Sequence, residues 1–377
     1  MRLMLLASDL SAALASATAA AGKARLVRLA AHESGAVITG SDATMSVSIK
    51  VPATVEAMGE IAVAADRLAG IADHADGDLH ISSTDINVSI AAGDGRYRLP
   101  ILPDPSAALV LDEEEASITI SAQDCRRLFE PLAAANRESS RYYLNGVLWL
   151  SGPDGLASVA TDGAKLLRTT IAAPSFTTDR RLIIPSKSVA AIEKLIRRES
   201  GMLALRRNRR LLSIVGSGFT ATTKLIEFTY PDLTSVLPAA SDNAAVVRRQ
   251  DLADSVARLM AAMDGEAPLL AIEWHEPGPV LLYLARQPEN TDLADAETKG
   301  DAQIAVAPAQ LATLLGEFSS AQLRLEITNG IAIHADGKLG VVASMQWNFT
   351  TPRTPLGASV RANTGADKQK ENSNAHV

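Results

Sequence analysis

Apolar residues recur at helical spacing in six segments, which form two series along the chain. In the first series each segment opens with a polar residue and an aspartate near its first turn, and these aspartates lie 115 and 127 positions apart. In the second series the segment starts lie 121 and 122 positions apart. Such spacing predicts amphipathic helices. The predicted helices cover 8–20, 121–134 and 249–263 in the first series, and 63–75, 184–198 and 306–320 in the second.

Short runs of alternating apolar and polar residues, rich in β-branched side chains, separate the helices. Such runs predict half-buried strands, and Asp-Gly or Asn-Gly pairs predict hairpin turns because glycine adopts positive φ without strain. Ser41-Asp42 and Thr161-Asp162, 120 positions apart, each lead into a predicted strand. The runs include 45–51, 79–90, 116–120, 211–215 and 323–333, and the pairs begin at Asp76, Asp94, Asn145, Asp154, Asp162, Asn329 and Asp336.

Together these patterns predict an α+β fold of three tandem copies of one unit of about 120 residues, each with two helices and antiparallel sheets. The predicted domains are residues 1–113, 114–241 and 242–350, called the first, second and third copies below. Residues 351–377 are polar and lack an apolar period, which predicts a disordered tail. We expect neighbouring copies to pair their sheet edges, and two chains to close a ring about a two-fold axis.

Charge is distributed unevenly along the 377 residues, whose net charge is −7. The second copy has 17 basic and 12 acidic residues, whereas the first has 8 and 14 and the third has 7 and 15. A basic region between acidic ones favours a local anion-binding surface on an acidic protein. Random clustering of solvated charge is the alternative.

The remaining composition restricts the protein's class. Apolar residues make up 47% and charged residues 21%, which is typical of a globular chain. The single cysteine, Cys125, excludes an intramolecular disulfide and a multi-cysteine zinc site, and it favours a reducing cytoplasm. The sequence contains no run of eighteen apolar residues, so no membrane span is predicted. The six histidines lack zinc-site spacing and 216–224 lacks phosphate-loop spacing, so we predict no catalytic residue, metal or cofactor.

Four segments of the second copy carry a resemblance to a known family. They read RYYLNGV at 141–147, VATDGAKLL at 159–167, IIPSKSVAAIEKLI at 183–196 and TTKLIEFTYPDLTSVLP at 222–238. Their order and spacing resemble those of the β sliding clamp of bacterial DNA polymerase III. The resemblance implies a homodimeric ring of six similar clamp-fold domains, lined by twelve helices, that encircles duplex DNA. It also implies a non-catalytic subunit that tethers DNA polymerase, clamp-loader subunits and repair proteins.

Basic residues of the second copy are the main candidates for DNA contact. In the helix predicted at 184–198, Val189, Ile192 and Ile196 form one stripe, while Lys187, Lys194 and Arg198 form another. A basic stripe suits phosphate contact without base readout, although any solvated helix can show one. The resemblance adds two loops, in one of which we expect one tyrosine buried and its neighbour exposed. The predicted DNA-binding residues are Lys23, Arg25, Arg137, Arg141, Tyr142, Tyr143, Lys187, Lys194, Arg197 and Arg198.

The resemblance also implies a cleft that receives a short peptide from partner proteins. Ala164, Lys165 and Ser235 depart from the family pattern, and Ser344–Trp347 replaces an apolar chain end, so a specialised clamp with altered partner specificity is expected. Without the resemblance, Thr161-Asp162-Gly163 would be interpreted as a turn alone. The predicted pocket residues are Leu144, Thr161, Gly163, Ala164, Lys165, Leu166, Pro231, Ser235, Val236 and Met345.

For dimerisation we expect Leu259, Met260 and Met263 of the third copy to meet residues 101–109 of the first copy, Leu102 among them. Two alternatives to a working clamp remain open from the sequence. One is a clamp-fold accessory or decoy scaffold, and the other is a repeat-built enzyme with an unrecognised site.

Overall fold

The computed structural model describes residues 1–21, 25–103, 108–176, 181–233, 236–238, 241–264 and 268–349. The chain divides into two compact units, which are described separately. The first unit comprises residues 1–160 and 169–230, and the second comprises 161–168 and the described chain from Pro231 onward. The predicted tail, 351–377, lies outside the described residues. The domain boundaries at 113 and 241 lie between strands and stay a prediction.

Within the described residues, six α-helices form where the two series predict them, which confirms the α+β class. Ser121 begins the third helix by accepting a hydrogen bond from the Asp124 amide at 3.0 Å. That helix ends at Phe129 and continues as a 3-10 helix over Glu130–Ala134, because Pro131 has no amide hydrogen to donate. The helices are α1 (Ala7–Ala17), α2 (Ala65–Ala72), α3 (Ala122–Phe129), α4 (Ser186–Ile196), α5 (Arg249–Ala261) and α6 (Pro308–Leu315).

Strands of the first copy form a five-stranded sheet and half of a larger one. The five-stranded sheet has the order β5-β1-β7-β8-β9, in which β5 and β9 are the edges. A core of small and branched side chains, including Ala13, Leu14 and Val27, lies in this copy. The strands are β1 (Arg2–Leu6), β2 (Leu26–His32), β3 (Gly35–Ser41), β4 (Met45–Val51), β5 (Thr54–Ala57), β6 (Gly59–Ala64), β7 (Asp78–Ser83), β8 (Asn87–Ala92) and β9 (Gly95–Pro100).

Strands of the second copy extend the larger sheet of the first. The eight-stranded order is β10-β15-β16-β17-β4-β3-β2-β6, and β14, β11 and β12 pair separately. These strands are β10 (Ala116–Ser121), β11 (Gly146–Gly152), β12 (Gly155–Thr161), β13 (Lys165–Ile171), β14 (Leu182–Pro185), β15 (Met202–Arg207), β16 (Leu211–Val215) and β17 (Phe219–Lys224).

The pairing of β17 with β4 joins the first two copies edge to edge, as the sequence predicted. It is antiparallel and runs from Phe219 opposite Ile49 to Thr223 opposite Met45. The Thr223 hydroxyl also donates a hydrogen bond to the Ser188 hydroxyl of α4 at 2.7 Å. The junction is therefore a continuous sheet rather than a flexible linker.

In the second unit, strands of the third copy form two antiparallel groups. One has the order β26-β25-β24-β18-β22 and the other β21-β20-β19-β23. The strands are β18 (Ala244–Arg248), β19 (Leu270–Trp274), β20 (Val280–Leu284), β21 (Gln287–Ala294), β22 (Ala296–Lys299), β23 (Ala302–Val306), β24 (Gln322–Ile327), β25 (Gly330–Ala335) and β26 (Lys338–Ala343).

Three local predictions need correction. The runs 79–90 and 323–333 are each two strands joined by a turn, since each contains polar turn residues within the apolar alternation. The pairs at Asp76 and Asn145 lie between a helix and a strand and do not form hairpins. The fourth helix ends at Ile196 instead of 198, so Arg198 does not lie on its face.

Candidate functional site

The turn between β3 and β4 is built around Asp42, which lies in the first unit. One carboxylate oxygen accepts hydrogen bonds from the amides of Thr44 at 2.8 Å and Met45 at 2.9 Å. The other accepts from the ammonium of Lys187 at 2.6 Å. Burial acts to raise the pKa of Asp42, but these hydrogen bonds outweigh it and lower the pKa to about 2. Lys187, predicted to touch DNA, is thus bound to a carboxylate of the first copy.

The turn after β12, in the second unit, repeats this construction 120 positions later. An Asp162 oxygen accepts from the amides of Ala164 and Lys165 at 2.9 Å, and the other accepts from the Lys165 ammonium. Thr161 supports the turn by donating to the Lys165 carbonyl at 2.6 Å, and Gly163 has φ 95°. Burial opposes ionisation, yet the bonds from Lys165 and Ala164 lower the pKa of Asp162. Lys165 therefore pairs within its own turn.

Apolar pocket candidates differ in exposure. In the second unit Leu166 is buried, whereas Val236 is 40% and Met345 is 45% exposed. The Ala343 amide donates to the Ala164 carbonyl at 2.8 Å, which brings the end of β26 beside the Asp162 turn. Pro231 is exposed in the same unit, and Ser235 lies outside the described residues.

Leu144 belongs to the first unit, where it ends a 3-10 helix over Ser139–Leu144 and is buried. Buried Asn136 fixes this loop. Its side-chain amide donates to the carbonyls of Glu138 at 2.9 Å and Arg141 at 3.3 Å, and its backbone amide donates to Leu144 at 3.2 Å. The loop is consequently held from within rather than by its exposed side chains.

Three aromatic rings form a cluster on this loop. Tyr143 stacks on Phe228 with centroids 5.0 Å apart, and Tyr142 meets Phe228 edge-on at 5.4 Å. Tyr142 is 53% and Phe228 is 49% exposed, so the expected exposed tyrosine is confirmed, whereas Tyr143 is half-buried and the expected buried tyrosine is wrong. Arg137 and Arg141 of the same loop are exposed. Sequence reasoning missed Phe228 because no local pattern links it to a loop 85 positions earlier.

Helix α4 confirms the predicted apolar stripe, since Val189, Ile192 and Ile196 are fully buried. The cations in and after this helix differ in their position and in their ion pairing. Lys194 is exposed on the helix, and Arg198 is exposed beyond its end. Arg197 lies 3.9 Å from the Glu193 carboxylate.

In the first copy, Arg25 has φ 46° and its guanidinium lies 3.0 Å from the Asp66 carboxylate. Lys23 lies outside the described residues. Both side chains of the Arg25 pair are more than half exposed, so the pair is weak.

The second copy matches the family model described as the central domain of the DNA polymerase III beta subunit, over residues 119–232. A beta sliding clamp of Pseudomonas putida is 31% identical over 206 residues, which are 53% of this chain and 56% of that clamp. The clamp of Pseudomonas aeruginosa is 28% identical over 285 residues, covering 72% and 76% of the two chains. Residues 119–232 therefore belong to the family of DNA polymerase III beta subunit central domains, and the longer chain is similar to bacterial beta sliding clamps. The chain thus spans little more than half the length of the Pseudomonas putida relative.

Solved structures of sliding clamps share the fold over almost the whole chain. A clamp of Pseudomonas aeruginosa superposes with a TM-score of 0.84 at 23% identity, covering 92% of this chain and 100% of that one. The clamp of Bacillus subtilis gives 0.83 at 18% identity, with the same coverage. Structural likeness therefore extends beyond the second copy, where the family model matches.

The residues predicted for dimerisation lie beside two sheet edges of this clamp-family fold. Leu102 is half-buried just after β9. On α5, Leu259 is buried at 4% exposure, and Met260 is half-buried, as is Met263 after the helix. Leu259 therefore packs mainly within its own chain.

Across the described ranges, no group of three or more histidine, cysteine, aspartate or glutamate side chains could hold a metal ion. Among the helices within those ranges, none is long and apolar enough to cross a membrane.

The Asp42 turn predicts an acid-sensitive contribution to stability. The folded pKa of about 2 lies below the ordinary value of 3.8, so the ionised carboxylate stabilises the fold above pH 4. This stabilisation is lost as the pH falls from about 4 to about 2, and we expect about 1 to 2 kcal/mol after allowing for the exposed lysine. Urea unfolding should show Asp42→Asn destabilised at pH 6 and nearly equal to the unaltered chain at pH 2.

Lys187→Met is the matched variant, because it removes the ammonium and leaves both amide bonds to Asp42. Its destabilisation should be smaller than that of Asp42→Asn. A pH-independent difference between Asp42→Asn and the unaltered chain would contradict the assignment.

Proposed function

We propose that this chain is a processivity clamp, a non-catalytic homodimeric ring that encircles duplex DNA and tethers DNA polymerase and clamp-loader subunits. The observation that carries the proposal is the family match over 119–232, which includes the Asn136 loop, the Asp162 turn and α4. The same assignment implies that the protein acts in DNA replication in the cytoplasm. Sliding requires phosphate contact without base readout, which exposed cations supply.

Edge strands of opposite charge support ring closure between two chains. Strand β9 is the last strand of its sheet and carries exposed Arg96 and Arg98. Strand β21 is the last strand of another sheet and carries exposed Glu289, whereas Asp292 of the same strand is paired with Arg258 at 2.6 Å. Pairing β9 of one chain with β21 of the other would cover both open edges and match their charges.

The closed Asp162 turn favours a second candidate, a clamp-fold accessory with altered partner choice. Lys165 pairs with Asp162, and its side chain is only 10% exposed. A partner peptide would then meet the exposed apolar side chains of Val236 and Met345, called the apolar slot, with little free positive charge, so its own apolar residues would decide binding.

Ring closure predicts a dimer of about twice 39.6 kDa that stays on circular DNA. Light scattering should give this mass, and protein loaded by its clamp loader onto nicked circular DNA should be released when the DNA is cut. Arg96→Glu with Arg98→Glu should halve the mass by repelling β21. Arg67→Glu on α2, also an exposed cation, is the control and should leave the dimer intact. A monomer at micromolar concentration, or retention unaffected by linearisation, would exclude a closed ring.

The exposed cations around α4 predict a salt-dependent DNA affinity. Lys194→Glu with Arg198→Glu should lower duplex affinity and reduce the slope of log affinity against log salt by roughly one to two. Fluorescence anisotropy over a salt series measures both quantities. The control is Arg209→Glu with Lys224→Glu, which makes the same change of charge at exposed cations in the turn between β15 and β16 and at the end of β17. This control should have less effect on the slope. Equal slopes for both double variants would show that α4 does not contact the DNA.

The apolar slot predicts that Val236→Asp abolishes binding of peptides from the polymerase and clamp-loader subunits. A carboxylate there would be desolvated by the incoming apolar side chains, so affinity should fall by at least roughly tenfold. Val110→Asp alters another exposed valine and serves as the control. Unchanged peptide affinity in Val236→Asp, measured by fluorescence polarisation, would refute the pocket.

A further inference from the structure

The four-stranded sheet β21-β20-β19-β23 is buried on both faces of its strand β19, and α5 covers one of these faces. Helix α5 packs against β20 and β21. All five residues of β19 are nonetheless buried, and successive strand residues point to opposite faces. The face opposite the helix therefore has a cover of another kind.

That second face carries a buried cluster of mostly small apolar side chains, called the trough below, with the buried Glu273 carboxylate beside it, 3.5 Å from the Tyr283 hydroxyl. Ala271, Ala285 and Ala305 form one buried cluster with Leu269 and Tyr283. Three methyl groups leave room above the sheet that larger residues would fill. The trough is therefore shaped to receive bulky rings.

The chain's own residues 344–349 provide the cover. They follow β26, and Trp347 and Phe349 pack against the cluster. Met345, Trp347 and Phe349 occupy alternate positions, separated by polar Gln346 and Asn348. Such alternation is typical of an extended segment that places every second side chain on one surface.

This covering segment has few polar contacts to the sheet. The Met345 amide donates to the Ala305 carbonyl at 2.7 Å, and the Ser344 hydroxyl donates to the Asn329 carbonyl at 2.9 Å. The indole nitrogen of Trp347 is buried without an acceptor among the described residues, which offsets part of the gain from burying the ring. Neither ring is fully buried. Ring packing thus holds the segment, and little else specifies that it must stay.

We propose that this trough is a docking site for an extended peptide with aromatic residues at alternate positions, and that residues 345–349 are its resident ligand. Ala305 belongs to β23, an edge strand, so an incoming peptide has a backbone carbonyl to pair with and the alanine floor to fill. A peptide of the same chemistry from a partner protein displaces the resident segment. The site is independent of the proposed DNA role, and it shares only Met345 with the predicted pocket that contains Val236.

The first test uses the full chain carrying Trp347→Ala and Phe349→Ala, which uncovers the trough. A fluorescein-labelled peptide SMQWNF should bind this variant at least roughly tenfold more tightly than the unaltered chain, because the resident segment no longer competes. The control peptide SMQANA should not bind. Adding Ala271→Leu, which fills the floor, should abolish binding of SMQWNF. No binding to the uncovered variant, or equal affinity for both proteins, overturns the proposal.

A second test needs no variant. Trp149 and Trp274 are 0% and 1% exposed, so Trp347 is the tryptophan that displacement would expose. Titration with unlabelled SMQFNF should shift the emission to longer wavelength and increase quenching by acrylamide, whereas SMQANA should do neither. Unchanged emission at saturating peptide would mean that the segment is a permanent cover.

Discussion

Backbone pairing between β17 and β4 is the constraint on which the first unit depends. Because side chains alternate along a strand, a slip of one residue would expose Val47 and Ala221, which are both fully buried. The correct register also brings Thr44 beside Lys224, whose amide donates to the Thr44 carbonyl at 2.8 Å. The Asp42 turn is thereby fixed where Lys187 reaches it. One sheet register thus decides the partner of a cation nearly 150 positions away along the chain.

Ion pairing changes which of the cations predicted to contact DNA should be counted as available to phosphate. Asp42 is largely buried and accepts hydrogen bonds from Lys187 and two amides, so the Lys187 ammonium is held by a fixed carboxylate although its side chain is 63% exposed. The Arg25–Asp66 pair is more than half exposed on both sides and is weak enough for a phosphate to compete. Lys187 is therefore a structural cation first, while Arg25 remains available. A charge count from sequence treats the two alike.

Local structure and the edge-to-edge pairing of the first two copies were predictable, and specific long-range side-chain contacts were not. Six helices and the repeat of Asp42 and Asp162 follow from periodicity and turn residues, which depend on neighbours within a few positions. The stacking of Phe228 on Tyr143 depends on two strands and a loop meeting in space, so no sequence window contains it. The end of α4 at Ile196 was also missed, since the basic residues that follow have high helix propensity, whereas the Arg126 guanidinium of α3 donates to the Ile196 carbonyl at 2.8 Å.

Aromatic residues are scarce in this chain, with 3 Trp, 5 Tyr and 6 Phe, and alanine, leucine, valine and isoleucine fill most of the cores. Against that background, Tyr142, Tyr143 and Phe228 gather on one surface, and Trp347 and Phe349 gather on another. Exposed rings forfeit part of the hydrophobic gain that the same rings would provide in a core. The contribution of these five rings to folding stability therefore gives no reason to place them at the surface. Recognition does, because a ring offers a large rigid contact area at low entropic cost.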